Sequence, residues 1–235
     1  MQKLKLAPST VPYYTMTLPV SKTVVKYRPF LVKEEKILLI ALQSGNPNHV
    51  IDAVRNMVLS CTDGKLDTRK IPAADSNYAM LQIRAKSIGE EIKPTIKCSG
   101  CEGKTPVRIS IDKIQTQVIR EDKNPNIKIN DDITLVMRYP TIHDLDPTKD
   151  QASMIFNMAY SCVDKIISKD EVYDRGAITE DDVILFIENL MPEQFKQITE
   201  YLETAPAVKY EFGFTCPNCK HKMNVSMENL TDFFL

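Results

Sequence analysis

The spacing of apolar residues changes several times along this chain, and each change marks a new element. TVVKYRPFLV (Thr23–Val32) is rich in β-branched and aromatic residues around a proline, which predicts an edge strand. KEEKILLIALQSG (Lys33–Gly45) reads as a helix, with acids in its first turn and Gly45 as its stop. In NPNHVIDAVRNMVLSC, Asn46 suits an N-cap and Pro47 the first helical position. Val50, Ile51, Val54, Met57 and Val58 then share one face of an amphipathic helix. After the polar loop TDGKLDTRK, a third helix is expected over Asp75–Ile88, burying Tyr78, Leu81 and Ala85, with Ile88 at its margin and Gly89 at its end.

From Glu90 the pattern becomes extended. EIKPTIKCSGC and KTPVRISID flank a cysteine pair. IKINDDITLVMRYP (Ile127–Pro140) alternates on either side of Asn130-Asp131-Asp132, a hairpin pattern. TKDQASMIFNMAYSCVDKIIS (Thr148–Ser168) carries Ile155, Met158, Ala159, Cys162 and Ile166 at helical spacing, which predicts one long helix. Thr179 with Asp182 three residues on predicts a capping box, and Pro192 opens a further helix, PEQFKQITEYLE. VKYEFGFTCPNCKHKMNVSM is extended again, and SMENLTDFFL reads as a helical turn or two. No internal repeat, low-complexity tract or flexible linker stands out.

The cysteines change this picture most. Cys98 and Cys101 form CSGC, Cys216 and Cys219 form CPNC, and each pair lies between two extended segments. Two hairpin tips that each offer two thiolates make a zinc-ribbon arrangement, with Ser-Gly and Pro-Asn as the turn residues inside each knuckle. The pairs are separated by residues 102–215, whereas compact ribbons keep them within about 20 residues. A subdomain inserted between the hairpins reconciles the two facts. A thioredoxin-like redox reading of CPNC lacks the following helix that lowers the thiol pKa; simple reduced thiols in turns are the remaining alternative. With four cysteine ligands the zinc would be structural. Lys97, Lys104, Lys220, His221 and Lys222 would offset the charge of the thiolates.

The expected fold is therefore α+β. An N-terminal strand plus three-helix segment (1–90) precedes a zinc-ribbon-like pair of β-hairpins (91–112 with 207–225). An inserted, mainly helical subdomain with one hairpin (113–206) lies between the hairpins, and an apolar tail (226–235) closes the chain.

Composition narrows the function. Across 235 residues, 30 Lys and Arg face 31 Asp and Glu, for a formal charge of −1. That balance argues against a phosphate-backbone ligand. The start of the sequence lacks the apolar core of a signal peptide, and ILLIAL (Ile37–Leu42) is too short to span a bilayer, so a soluble cytosolic protein is expected. His49, His143 and His221 stand in unrelated contexts, and no phosphate-binding loop or zinc-protease motif is present. The NDD, HDLDP and TEDD carboxylates read as turns and caps. Cys61 and Cys162, with Met57, Met154, Met158 and Met191, read as core. No enzyme is expected. A partner is suggested by the apolar end Phe233, Phe234 and Leu235, and by the proline-punctuated arm PSTVPYYTMTLPV.

YRPFLVKEEKILLIALQSGN (Tyr27–Asn46) and LQIRAKSIGE (Leu81–Glu90), with a looser match through NDDITLVMRYPT, resemble the baseplate hub assembly proteins of T-even-like contractile-tailed bacteriophages. The resemblance implies a non-enzymatic role in building the baseplate hub. Such a protein escorts hub or tape-measure components in the host cytoplasm, or stays in the virion tail as a structural subunit. A zinc-ribbon nucleic-acid binder is the lesser alternative. Partners would be other hub or tail proteins, with self-association left open and no membrane involved. Lys33, Glu34, Glu35, Lys36, Arg84, Lys86 and Glu90 would lie on exposed helix faces, and with Phe233, Phe234 and Leu235 they are the expected partner contacts.

Overall fold

The computed structural model describes residues 11–117, 125–144, 150–169 and 171–227. It opens with an antiparallel hairpin, β1 (Tyr14–Thr17) and β2 (Val24–Tyr27), so four residues of the expected N-terminal arm form a strand paired to this chain. The strand expected over Thr23–Val32 stops at Tyr27, because the Arg28 N–H turns to donate to the Cys61 carbonyl. Three helices follow: α1 (Val32–Gln43), α2 (Pro47–Cys61) and α3 (Ala73–Ile88). Asn46 caps α2 as expected, its side chain accepting from the Asn48 N–H, with Pro47 at the first helical position. Met16, Leu18, Val25 and Tyr27 from the hairpin meet Leu38 of α1, Val54, Met57 and Val58 of α2 and Met80 and Ile83 of α3 in one core. Ile88 is exposed, since α3 ends there and Gly89 departs at φ 115°.

Four short strands come next: β3 (Glu91–Ile92), β4 (Thr95–Lys97), β5 (Lys104–Pro106) and β6 (Ile109–Ser110). They nest as β3–β6 around β4–β5, both antiparallel, so the first cysteine pair sits at the tip of a hairpin. β7 (Gln115–Gln117) leads on to the inserted segment.

There the expected hairpin forms as β8 (Asn126–Lys128) and β9 (Ile133–Met137), and Asn130 Oδ1 accepts from the Asp132 and Ile133 N–H groups in its turn. The helix expected over Thr148–Ser168 is shorter. It is α4 (Gln151–Ser161), and β10 (Val163–Ser168) takes over. Helical spacing misled because Ile166 also fits a strand. Val163, Ile166 and Ile167 are β-branched and pair with β9, and β11 (Glu171–Asp174) adds the far edge. The result is a four-stranded sheet, β11-β10-β9-β8, a larger β share than the periodicity suggested.

α5 (Glu180–Glu188) starts at the expected Thr179–Asp182 capping box, and α6 (Pro192–Leu202) starts at Pro192. Met191, expected in the core, is exposed ahead of α6. Leu135, Ala159, Val163, Val183, Ile187 and Ile198 fill a second core between sheet and helices. Ile142 from this segment enters the N-terminal core, and the Ala73 N–H donates to the Pro140 carbonyl, tying the two bodies together.

β12 (Ala207–Thr215) and β13 (Lys222–Met227) close the described chain. β12 pairs with β7 at its start and with β13 along the rest. It therefore joins a third core, with Leu81, Ile92, Ile109, Ile111 and Val208, to the second cysteine pair at its far end. The mixed α/β fold is as expected. The terminal turns expected over SMENLTDFFL lie, from residue 228 on, outside the described residues.

Candidate metal centre

Each cysteine pair is held by the same backbone knuckle. In the first, the Cys98 N–H donates to the Gly103 carbonyl (2.9 Å) and the Glu102 N–H to the Cys98 carbonyl (2.9 Å). In the second, the Cys216 N–H donates to His221 (2.9 Å) and the Lys220 N–H to Cys216 (3.0 Å). The residue after each second cysteine has positive φ, 58° at Glu102 and 63° at Lys220. Small and turn-forming residues make the tight reversal possible, and the two hairpins present it face to face.

The four sulfurs meet. Cys98 Sγ lies 3.7 Å from Cys219 Sγ, and Cys101 Sγ lies 3.7 Å from Cys216 Sγ. All four lie within 4.8 Å of one another and could hold a metal ion. A tetrahedron with zinc–thiolate arms of about 2.3 Å has edges of roughly 3.8 Å, so the cluster has the size of such a site. The same separations are far beyond a disulfide's length of about 2.05 Å. Cys98 and Cys216 are buried, with Ile96 and Phe214 beside them, while Cys101 and Cys219 face outward.

The knuckles interlock closely. A Cβ on Gly103 would stand 2.7 Å from Asn218 Nδ2 and 3.3 Å from Cys101 Sγ, and one on Gly100 would stand 3.2 Å from the His221 ring. Backbone N–H groups of Cys219 and Asn218 lower the Cys216 thiol to about 6 against the opposing effect of burial. Cys101 has a Gly103 N–H acting to lower it, yet its sulfur neighbours push it up to about 12. Around the cluster, Lys97 pairs with Glu102 at 3.3 Å, and His221 is an exposed residue outside the four-sulfur set.

The expected partner residues distribute differently. Glu34 is buried, not on an exposed face: Arg28 Nη2 and Ser60 Oγ each donate to its Oε1 at 3.0 Å, and the Leu31 N–H donates to Oε2 at 2.7 Å. Arg84 is also buried, and its Nη1 donates to the Gly89 and Glu91 carbonyls, closing the C-terminal end of α3 onto β3. Both charges serve the chain's own backbone. Glu35 is half-buried, Lys86 is exposed and pairs with Glu90 at 2.6 Å, and Phe233, Phe234 and Leu235 lie outside the described residues.

The Glu34 cluster has a counterpart that sequence inspection missed. Arg138 donates to Asp144 from Nη1 (2.8 Å) and Nη2 (3.1 Å), and from Nη2 to the Ser161 carbonyl (2.7 Å). Asp144 accepts the Thr141 N–H, as Glu34 accepts that of Leu31. The backbone N–H of Arg28 donates to Cys61, and that of Arg138 donates to Cys162. In both units an arginine directly follows a hairpin strand, a carboxylate stands six positions on, and the string Asn-Met-x-x-Ser-Cys-x-Asp (56–63 and 157–164) runs across the end of a helix. That recurring string was the available signal; it is short, and unequal spacers hide it. Burial pushes the Cys61 thiol to about 11 and the Cys162 thiol to about 12, so both are inert core groups, as expected.

These features define a mixed α/β protein with two arginine-clasped hairpin–helix units and a four-cysteine cluster built from distant hairpins. The family model for T4 bacteriophage base plate protein matches residues 11–235, and the chain belongs to that family. No curated protein and no solved structure matches it. Membership implies interaction with other baseplate proteins and association with the virion tail. Among the described residues, no helix is long and apolar enough to cross a membrane.

Proposed function

We propose that this chain is a non-enzymatic protein that assembles the baseplate hub, escorting hub or tape-measure components in the host cytoplasm, braced by one structural Zn²⁺ on Cys98, Cys101, Cys216 and Cys219. The observation that carries the reading is the family match across residues 11–235. The non-enzymatic part is supported by the work its polar clusters already perform. Asn130 closes a turn, Asp144 clasps Arg138 and the Asp182 carboxylate accepts the Thr179 N–H in the capping box of α5. Zinc is supported by four thiols at tetrahedral spacing, a ligand set with no open position for water or substrate.

The test is quantitative mass spectrometry of the chain in purified virions against the lysate that produced them. Near-complete loss from the particles is expected of an assembly factor. Retention at a fixed copy number would instead make it a permanent baseplate subunit, the second reading that family membership supports. A nucleic-acid role would require salt-dependent affinity for DNA or RNA, and the near-balanced charge disfavours it. Elemental analysis of the purified chain should return one zinc per molecule.

A further inference from the structure

Helix α1 is apolar on two sides, and the described chain covers only one. Leu38 and Ala41 enter the N-terminal core. Val32, Ile37, Leu39 and Ile40 are 79%, 53%, 50% and 56% exposed. At 3.6 residues per turn these four share one broad arc with Lys33 and Lys36. A helix that is apolar all round ordinarily lies inside a core, yet α1 lies at the surface.

Comparison of the two clasped units shows that the turns of α1 beyond Glu34 are an addition to the clasp. In the second unit only residues 145–149 separate Asp144 from the N-cap of α4, and the clasp still closes. In the first unit the twelve residues of α1 stand between the arginine and α2. The outer face of α1 is therefore not needed to complete the unit.

We infer that this face is the docking surface for an apolar helix flanked by carboxylates on another baseplate protein. The charges select that occupant. Among the described residues Lys33 reaches only Glu34, at 3.6 Å, and that carboxylate already serves Arg28, Ser60 and Leu31. Lys36 forms no ion pair among the described residues, and Glu35 is turned to the flank, half-buried. The face is thus cationic and apolar, with no carboxylate of its own within it. A second copy would set lysine against lysine. Residues 1–10 hold Lys3 and Lys5 and no carboxylate, so they would be repelled. Residues 228–235 include Glu228 and Asp232, but even as a full helix they would reach about 12 Å against about 18 Å for α1. An acid-flanked helix from another chain satisfies both the length and the charge, in the helix-on-groove mode.

The inference rests on the reading that this chain binds other baseplate proteins, and the test separates the two. The full chain is co-expressed with the other tail proteins of its phage, carrying a photo-crosslinking residue at position 37 or 39, and crosslinked peptides are sequenced. Alongside run the double variants Ile37→Asp/Ile40→Asp and Lys33→Glu/Lys36→Glu. Both should fold, because these side chains face outward, and a thermal melt matching the parent checks that. The expected result is crosslinking to a segment of a different protein with apolar residues at 3–4 spacing and Asp or Glu beside them. Each double variant should reduce co-purification by at least about tenfold. Crosslinks confined to a second copy or to residues 228–235 overturn the inference, as does a yield no higher than from a control crosslinker at the exposed Glu180. If the parent chain co-purifies with these proteins and both variants do so equally, the face is wrong and the assembly role stands. If the parent co-purifies with none, both fail.

Discussion

Glu102 and Lys220 hold the left-handed turn of each knuckle without being glycine. For a residue with a Cβ that conformation costs about 1–2 kcal/mol, partly offset in a Gly variant by the greater freedom of the unfolded chain. Glu102→Gly and Lys220→Gly should therefore each stabilise by about 0.5–1 kcal/mol, read as a higher denaturant midpoint; losing the exposed Lys97 pair matters little. Gly103 is the opposite case. Its φ is not left-handed, yet a methyl group there collides with Asn218. Gly103→Ala should destabilise by about 1–3 kcal/mol through overpacking, and Asn218→Ala in the same chain should restore part of the loss. Acid stability has its own residues. Arg28, Leu31 and Ser60 hold the Glu34 carboxyl below its ordinary value against desolvation, and Arg138 and Thr141 do the same for Asp144. With folded pKa values below unfolded ones, the folded state binds fewer protons. Their contribution is complete above about pH 4, near the unfolded values, and is lost as pH falls through the depressed folded values. Asp144→Asn should flatten that acid limb in melts between about pH 2 and 5; an unchanged limb would count against the clasp.

At the scale of elements, the arginine clasps set where helices stop. Arg138 takes the Ser161 carbonyl at the end of α4, and its backbone N–H takes Cys162, so the chain leaves the helix and enters β10. Periodicity could not place that boundary, because the group that terminates α4 is Arg138, just past the end of β9 and distant in sequence from Ser161. Arg138→Lys keeps the charge but lacks the planar fork that serves Asp144 and Ser161 together. It should cost about 1–2 kcal/mol, roughly the worth of one charged hydrogen bond. Arg138→Met should cost about 3 kcal/mol, since Asp144 would be left mostly buried and unpaired. Equal losses for the two substitutions would show that packing of the side-chain stem, not the fork, holds the junction. Local signals succeeded where the partner is near in sequence, as in the Asn46 and Thr179 caps.

Across the whole molecule, β12 is the connecting strand. It pairs with β7, carries β13, packs in a core with α3 and delivers Cys216 to the cluster. A structural zinc supplies roughly 10–16 kcal/mol of binding free energy, comparable with a domain's net stability of about 5–15 kcal/mol. Removing it should release the tie between residues 98 and 219. Hydrogen exchange with a strong chelator present should lose protection in β4, β5, β12 and β13 and retain it in α2, whose core contains none of the four ligands. Cys98→Ser should reproduce the pattern without chelator. Undiminished protection in all four strands would remove the metal from the account.

The sequence by itself determined the elements whose causes are local: α2 and α5 with their caps, the Asn130 turn, and two Cys-x-x-Cys tips each flanked by strands. It also carried the family resemblance, because Tyr27–Asn46 and Leu81–Glu90 are contiguous strings. Only the tertiary structure decided that the four sulfurs of the two tips lie within 4.8 Å of one another, since closing a span from residue 98 to residue 219 depends on the cores between them. It likewise decided that Glu34 and Arg84 point inward while Val32, Ile37, Leu39 and Ile40 point out. In α1 both faces are apolar, so helical periodicity had no contrast from which to choose the buried side; the arginine at position 28, six residues away, made that choice by drawing Glu34 toward the core.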